Sequence, residues 1–272
     1  MAIISVCRGT KSGGEALAKC LEEKLGYPLL GREVLQEAAA QLGVPAKDVG
    51  EKMEEVPGFF GRTSMVQKLY VAAVQAALAE AAAGGNLIYH GLAGGLLLRE
   101  APGVLCTRLI SPLEMRVHAL MVSHGMDEAS AEAYIHDVDD ARARWVKGLY
   151  GMDINDPGMY DMVVNLASFS VPEACEVVFA AAQRPEFEID DERLLELGDF
   201  RLGSRVRLAL LEDLGTQTLE LGATAMDGVV VVTGQAPMLN TGEVGDRIVE
   251  IVRSVPGVQE VSLRIEWFDP YP

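Results

Sequence analysis

The stretch IISVCRGTKSGGEALAKCLEEKL, residues 3–25, decides the fold. Ile3 to Cys7 is a short, β-branched apolar run, which favours a strand. A loop from Gly9 to Gly14 follows, and the apolar positions of residues 15–25 then recur at helical spacing. The sequence therefore predicts a strand, a glycine loop and a helix in direct succession.

A glycine loop between a strand and a helix is suited to binding phosphate. Glycine permits close backbone approach, and a helix N-terminus directs unpaired N–H groups and its dipole at an anion. The candidate cofactor-binding residues are Arg8, Gly9, Thr10, Lys11, Ser12, Gly13 and Gly14. A plain strand-to-helix turn would show the same pattern, so the loop alone does not decide between these interpretations.

The loop departs from the full phosphate-loop pattern, G-x-x-x-x-G-K-[ST]. Gly14 occupies the lysine position, and Glu15 occupies the serine or threonine position. These replacements remove one positive charge and one hydroxyl group on the magnesium side, and they add a negative charge. Lys11 or Arg8 could supply the missing cation from inside the loop.

Short apolar strands and longer helices alternate along the next 160 residues or so, an α/β pattern. We predict strands at 86–89, 104–110 and 162–165, and helices at 33–42, 66–83, 112–124, 128–149 and 171–183. Such alternation is typical of a parallel sheet flanked by helices on both faces. We assign residues 1–183 to this first domain.

The composition changes after residue 183. Residues 184–203, acid-rich as far as Asp199, predict a linker with a short helix. Residues 204–268 then run helix, strand, strand, helix, strand. Asp227-Gly228 between two apolar runs predicts a hairpin. The predicted architecture is an α/β phosphate-loop domain with a small C-terminal αββαβ domain.

The overall charge limits the partners that we expect. The chain has 272 residues and a formal net charge of −17, with 49% hydrophobic residues, which is an ordinary globular balance. A strongly acidic protein repels nucleic acids and anionic membrane surfaces at long range. We therefore expect neither as a partner.

Cysteine usage and the N-terminus bear on the compartment. The four cysteines are scattered without a CxxC pair or zinc-ligand spacing, so we expect buried free thiols, a reducing compartment and no metal-ligating residues. The short N-terminal apolar run lacks a basic region before it. No stretch reaches the roughly 18 apolar residues of a membrane span. These features predict a cytoplasmic protein.

Several segments together resemble the cytidylate kinase-like family, relatives of the nucleoside monophosphate kinases. They are ISVCRGTKSGGEALAKCLEEKLGYPLL, NLIYHGLAGGLLL, VLCTRLISPLEMRV, DVDDARARWVKGLYGMDINDPGMYDMVVN and the helix at 171–183. Their order and spacing both agree with the family, over roughly residues 1–183. The resemblance implies transfer of a phosphoryl group from ATP, with Mg²⁺, to a nucleoside monophosphate such as CMP or to a related small acceptor.

The resemblance also implies roles for individual residues. Arg116, Asp139, Arg142 and Arg144 match lid-side and catalytic positions, and Arg32 and His90 fall where the acceptor binds. Asp139 and Arg142 are three residues apart, so an ion pair on a solvated helix would look the same. His90 is equally consistent with a histidine whose hydrogen bonds are satisfied at a strand end.

Three departures from the family pattern cluster around one pocket. They are Glu15 after the glycines, His90-Gly91 where the family usually has Gly-Arg, and Asn165-Leu166 where it has Asn-Thr. Each change weakens anion binding. They favour an alternative, a catalytically degenerate nucleotide-binding or regulatory protein that kept the kinase fold. A purely structural or interaction protein is a third hypothesis.

The C-terminal segment DGVVVVTGQAP, the helix after it and VPGVQEVSLRI resemble a BON domain. That resemblance implies a small α/β fold without catalytic residues, used elsewhere for lipid or protein contact. The acidic charge disfavours a membrane role, so we expect a protein partner or self-association through this domain. Trp267, Phe268 and Tyr271 form an aromatic tail that we expect to dock on the kinase-like body or on a second subunit.

Overall fold

The chain forms two compact units. The computed structural model describes residues 1–31, 33–54, 64–238 and 241–269. Within these, the first unit comprises chiefly residues 1–34 and 84–190, and the second comprises residues 35–53, 64–83 and 191–269. Each unit has its own sheet.

The described residues contain ten α-helices and eight strands. In chain order they are β1 (Ile3–Arg8), α1 (Gly14–Leu25), β2 (Leu29–Leu30), α2 (Glu33–Leu42), α3 (Ala46–Glu54), α4 (Met65–Ala82), β3 (Leu87–His90), α5 (Gly94–Leu97), β4 (Val104–Ile110), α6 (Leu113–His124), α7 (Glu128–Tyr150), β5 (Met162–Asn165), α8 (Val171–Ala182), α9 (Asp191–Glu212), β6 (Glu220–Met226), β7 (Val229–Pro237), α10 (Thr241–Ser254) and β8 (Glu260–Phe268).

The first unit is built on a parallel sheet of five strands in the order β2-β3-β1-β4-β5. Strand β1 is central, and its Val6 pairs with His90 of β3 and with Thr107 of β4. The carboxyl ends of these strands therefore meet at one edge of the sheet, where the glycine loop begins. The predicted α/β class is confirmed.

Helices cover both faces of this sheet. Alternate side chains of β1, Ile4 and Val6, pack with Leu17 and Leu21 of α1 and with Val178 of α8 in one buried cluster. Ser5 lies on the opposite face because side chains alternate along a strand. A Cβ atom added to Gly94 of α5 would lie 2.4 Å from the Ser5 hydroxyl oxygen, so α5 packs closely on that second face.

The prediction of four free thiols is wrong for two of them. Cys20 of α1 and Cys175 of α8 form a disulfide, while Cys7 and Cys106 are free. The two helices pack side by side on the same sheet face, a neighbourhood that a sequence separation of 155 residues conceals. The prediction of a reducing compartment rested on four free thiols, and the disulfide removes that support.

The second unit contains a three-stranded sheet in the order β6-β7-β8. Strands β6 and β7 form the predicted antiparallel hairpin, and β8 pairs parallel to β7 after the crossover through α10. Val206 of α9, Val232 of β7 and Val252 of α10 are fully buried in its core. The run α9-β6-β7-α10-β8 confirms the predicted αββαβ order.

Helix α9 begins earlier than its predicted start at residue 204. It runs unbroken from Asp191, so the segment 184–203, predicted as a linker with a short helix, holds the first half of this one long helix. Gly198 and Gly203 lower the helix propensity of that stretch. Tertiary packing outweighs it: a Cβ atom at Gly203 would lie 3.3 Å from the carbonyl oxygen of Ala223 on β6. No helix among the described residues has the length and apolar character needed to cross a bilayer.

Candidate functional site

The glycine loop joins β1 to α1 and is braced from within. Gly13 caps α1 with a positive φ of 85°, and its carbonyl oxygen accepts from the Leu17 amide at 3.0 Å. The buried Ser12 hydroxyl donates to the carbonyl oxygens of Gly9, at 3.0 Å, and Leu109, at 3.2 Å. Ser12, predicted as a phosphate contact, therefore ties the loop to β4. Lys11 is exposed and has a positive φ of 55°.

The carboxylate of Asp139, on α7, lies against the loop. Its Oδ1 accepts from the Thr10 backbone amide at 2.9 Å and from the Thr10 hydroxyl at 2.8 Å. Its Oδ2 accepts from Nη2 of Arg116 on α6 in a salt bridge. An internal anion, the Asp139 carboxylate, thus occupies a backbone amide of the loop.

Two arginines complete this cluster, which we call the loop anion site: Thr10, Arg116, Asp139 and Arg142. Nε of Arg116 donates to the carbonyl oxygen of Thr10 at 2.7 Å. Nη1 of Arg142 donates to the Thr10 hydroxyl at 3.0 Å and lies 3.8 Å from Oδ1 of Asp139. The Asp139–Arg142 pair is therefore more than an ion pair on a solvated helix, because both side chains contact the loop.

The electrostatics of the loop anion site favour a negative charge. Burial by itself would raise the pKa of Asp139. The hydrogen bonds from the Thr10 amide, Arg116 and the Thr10 hydroxyl outweigh it, and the net pKa of this carboxyl is below its usual value. A carboxylate held in its charged form by an amide, a hydroxyl and the Arg116 guanidinium shows that these donors suit an anion.

The other predicted residues are distributed differently. Arg144, on the same helix, is exposed, and no hydrogen bond or salt bridge joins it to the residues that the structure describes. Arg32 lies outside the described residues. Glu15, on the first turn of α1, is exposed and forms a salt bridge with Lys19 at 3.0 Å. The hydrogen bond from Lys19 lowers the pKa of Glu15.

His90 and Arg8 contact each other at the ends of neighbouring strands. Nε of Arg8 donates to Nε2 of His90 at 2.7 Å. Because Nε2 accepts this bond, the imidazole is neutral and carries its proton on Nδ1. Burial, followed by the charge of Arg8, lowers the pKa of His90 to about 4. Nε2 of His90 therefore has a hydrogen-bond partner at the strand end. That partner, Arg8, is one of the predicted loop residues.

Sequence reasoning missed a second cluster in this unit, around Arg108 of β4. Its guanidinium donates to the carbonyl oxygen of Ile154 at 2.5 Å, to the Tyr160 hydroxyl at 3.0 Å and to Oδ1 of Asn155 at 2.8 Å. A cavity of about 360 Å³ lies beside it and is lined in part by Ile154, Tyr160 and Cys106. The available signal was a single arginine within the apolar strand VLCTRLI.

Comparison with known proteins identifies the family. The model of the cytidylate kinase-like family matches residues 3–168. The chain belongs to this family. The matched residues contain the glycine loop, His90 and the whole loop anion site, and they end before the second unit's long helix α9.

Three similar proteins each match about two thirds of this chain. A protein named cytidylate kinase from Methanoculleus marisnigri is 30% identical over 171 residues, 62% of this chain and 88% of that protein. A cytidylate kinase from Pyrobaculum aerophilum is 25% identical over 178 residues, 65% of this chain and 90% of that protein. A crystal structure of an uncharacterized protein from Eubacterium ventriosum has a TM-score of 0.53 at 18% identity, covering 68% of this chain and all of that one. This last likeness concerns the fold alone.

Proposed function

We propose that the chain transfers the γ-phosphoryl group of ATP, in the presence of Mg²⁺, to cytidine monophosphate or a related small acceptor. The observation that carries this proposal is the loop anion site, in which one carboxylate accepts from a loop amide and from Arg116, with the Arg142 guanidinium 3.8 Å away. Membership of the cytidylate kinase-like family supports the reaction class, and the relatives' names support the acceptor.

The residues present fit a phosphate. A phosphate oxygen can accept the hydrogen bonds that the Thr10 amide and Arg116 now give to Asp139, and Arg142, 3.8 Å from that carboxylate, would add a second guanidinium. The Thr10 amide hydrogen cannot serve both anions, and Asp139 must therefore leave when a phosphate enters. Mg²⁺ usually takes one or two carboxylates together with phosphate oxygens and water. Glu15, at the serine or threonine position of the pattern, would supply such a carboxylate.

The chemistry requires little from the protein beyond position and charge. In phosphoryl transfer an acceptor oxygen attacks the γ-phosphorus in line while the bond to the bridging oxygen of ADP breaks, so no protein nucleophile is needed. Arg116 and Arg142 would neutralise the charge that spreads over the transferring oxygens. Mg²⁺, when bound, would supply positive charge that neutralises the donor phosphates.

Product analysis tests the proposal. The full chain is incubated with ATP, Mg²⁺ and each nucleoside monophosphate in turn, and the nucleotides are separated by chromatography. We expect a new diphosphate from CMP or a close analogue, and its loss in Arg116→Ala. The exposed Arg253→Ala in the second unit is the matched control for removing an arginine. If no acceptor yields product from folded protein, the kinase proposal is overturned.

A second candidate function is nucleotide binding without turnover. The observation that favours it is Glu15, an exposed carboxylate at the first turn of α1, in the place of a neutral hydroxyl. This hypothesis predicts that ATP raises the melting temperature through linkage while no product forms. An unchanged melting temperature at millimolar ATP would contradict both candidates.

We further propose that the second unit binds a protein partner or a second copy of the chain. Several apolar side chains of this unit lie outside its core and are largely exposed, among them Leu195 at 68%, Leu214 at 83% and Met226 at 71%. Light scattering coupled to size exclusion of the full chain tests self-association. A single mass of one chain at all concentrations would leave a different protein as the partner.

A further inference from the structure

The cation that the phosphate-loop pattern requires has changed position in this chain. Gly13 caps α1 and is the second glycine of the pattern, which places Gly14 at the lysine position. Counting back five residues places Arg8 at the position of the first glycine. A cation therefore stands where the pattern has glycine, and a glycine stands where it has the cation.

The structure shows why these two exchanges accompany each other. A Cβ atom at Gly14 would lie 2.4 Å from Cδ of Arg8, 2.8 Å from its Cβ and 3.0 Å from its Cγ. The aliphatic stem of Arg8 thus crosses the first residue of α1. Gly14 is helical, so its backbone conformation does not require glycine. Glycine is required because the Arg8 side chain fills the space that a side chain at residue 14 would need.

His90 fixes the direction of the Arg8 side chain. The hydrogen bond of 2.7 Å runs from Nε of Arg8 to Nε2 of His90, at the end of the neighbouring strand β3. The neutral imidazole is an acceptor at this nitrogen, and burial keeps it neutral by lowering its pKa. His90 also lies beside Gly31, whose added Cβ would be 3.2 Å from Nδ1. The guanidinium is therefore held at the N-terminus of α1, the phosphate-binding end of the helix.

We propose that Arg8 takes the role of the phosphate-loop lysine toward the β- and γ-phosphates of the donor nucleotide, and that His90 is the positioning residue for Arg8. This inference deepens the proposed function and rests on nucleotide binding by the same loop. Arginine brings a bidentate, permanently charged donor to phosphate. His90-Gly91 stands where the family usually has Gly-Arg, and His90, at the glycine position, orients a cation from β1.

Binding measurements on exchanged residues test the inference. The probes are ATP with Mg²⁺ and inorganic tripolyphosphate. Titration calorimetry on the full chain measures their binding, and circular dichroism verifies that each variant is folded. We expect Arg8→Ala to weaken binding about 10- to 100-fold, the range for loss of a charged hydrogen-bond donor. Gly14→Lys alone is expected to be destabilised, because the lysine stem collides with Arg8.

The double variant Arg8→Gly/Gly14→Lys restores the full glycine–lysine pattern. We expect it to recover most of the affinity that Arg8→Ala loses, although each exchange alone is harmful. Lys11→Ala provides the comparison within the loop and is expected to cost less than Arg8→Ala. A folded double variant that binds as weakly as Arg8→Ala, or a larger loss in Lys11→Ala, would overturn the assignment.

The positioning role of His90 has a separate readout. Where Arg8 is present, His90→Ala is expected to weaken binding about fivefold or more. His90→Gln has an amide oxygen that can accept from Arg8, so we expect it to lose less affinity than His90→Ala. In the Arg8→Gly/Gly14→Lys background His90→Ala should have little effect, since the cation no longer comes from Arg8. An equal loss in both backgrounds would show a merely structural role.

The design separates this inference from the proposed function. If the native chain binds ATP and tripolyphosphate but Arg8→Ala binds equally well, the inference on Arg8 fails alone. If the native chain binds neither probe, nucleotide binding fails and the inference fails with it.

Discussion

The carboxylate of Asp139 accepts hydrogen bonds from both the backbone amide and the hydroxyl of Thr10, although 129 residues separate the two in sequence. This contact joins the middle of helix α7 to the glycine loop. Arg116 and Arg142 converge on the same two residues. The protein therefore carries an internal anion on its glycine loop.

Removing the charge of Asp139 is expected to tighten phosphate binding. The carboxylate competes with phosphate for the Thr10 amide and for the arginines, so Asp139→Asn should bind tripolyphosphate about 3- to 10-fold more tightly in calorimetry. Asp140→Asn, which removes an exposed carboxylate from the next position of the same helix, is the matched control for net charge. Weaker binding in Asp139→Asn alone would show that this carboxylate orients the arginines and does not compete.

Arg116, Arg142 and Arg144 should differ in their effect on turnover. Arg116 and Arg142 lie in the loop anion site, whereas Arg144 is exposed. If the chain is a kinase, Arg116→Ala and Arg142→Ala should each lower kcat by about 10²- to 10³-fold, and Arg144→Ala by less than about tenfold. Initial rates at saturating ATP measure this. A loss in Arg144→Ala as large as that in Arg142→Ala would indicate that α7 moves during the reaction.

The sequence predicted the architecture well because its signals are local. The strand–loop–helix succession of residues 3–25 and the hairpin at Asp227-Gly228 each depend on neighbouring residues, and both are present. The start of α9 was misplaced because Gly198 and Gly203 lower local propensity while packing against β6 stabilises the helix. Local reasoning succeeds where the deciding contacts are themselves local.

The contacts of the candidate site could be predicted only in part. The loop residues and Arg116, Asp139 and Arg142 were named from pattern and resemblance, but the direction in which each side chain points was not. The Arg8–His90 bond joins residues 82 apart, and the Cys20–Cys175 bond joins residues 155 apart. Neither pair has a spacing that marks it in one sequence, because both depend on how strands and helices become neighbours in the sheet.

The neutral state of His90 makes the stability of the fold depend on pH. Burial first, and then the charge of Arg8, lowers the pKa of His90 from 6.5 to about 4. Lys19 acts in the same direction as Arg8, while Glu15 and Glu33 oppose it. In the unfolded chain the imidazole takes up its proton near pH 6.5. The contribution of His90 is therefore fully present above pH 6.5 and is lost as the pH falls toward 4.

Comparison with His90→Gln isolates this effect, because the other titrating groups are common to both proteins. Between pH 7 and pH 4 the native chain should lose about 1–2 kcal/mol more stability than the variant, less than the full shift because the imidazole is only half-buried. Urea denaturation across this range gives the two free energies of unfolding. Parallel pH profiles would mean that His90 titrates normally in the folded protein.

Reduction of the Cys20–Cys175 disulfide is expected to destabilise the first unit. The bond ties α1, which carries the glycine loop, to α8 across a sequence separation of 155 residues. A disulfide that closes a long loop restricts the unfolded chain, and it typically stabilises the folded state by about 2–4 kcal/mol. Dithiothreitol should therefore lower the midpoint of thermal unfolding, and it should have little effect on Cys20→Ala/Cys175→Ala.

Thiol titration in denaturant without reductant should find two free thiols, from Cys7 and Cys106. Four free thiols would show that the two helices pack together without the covalent bond.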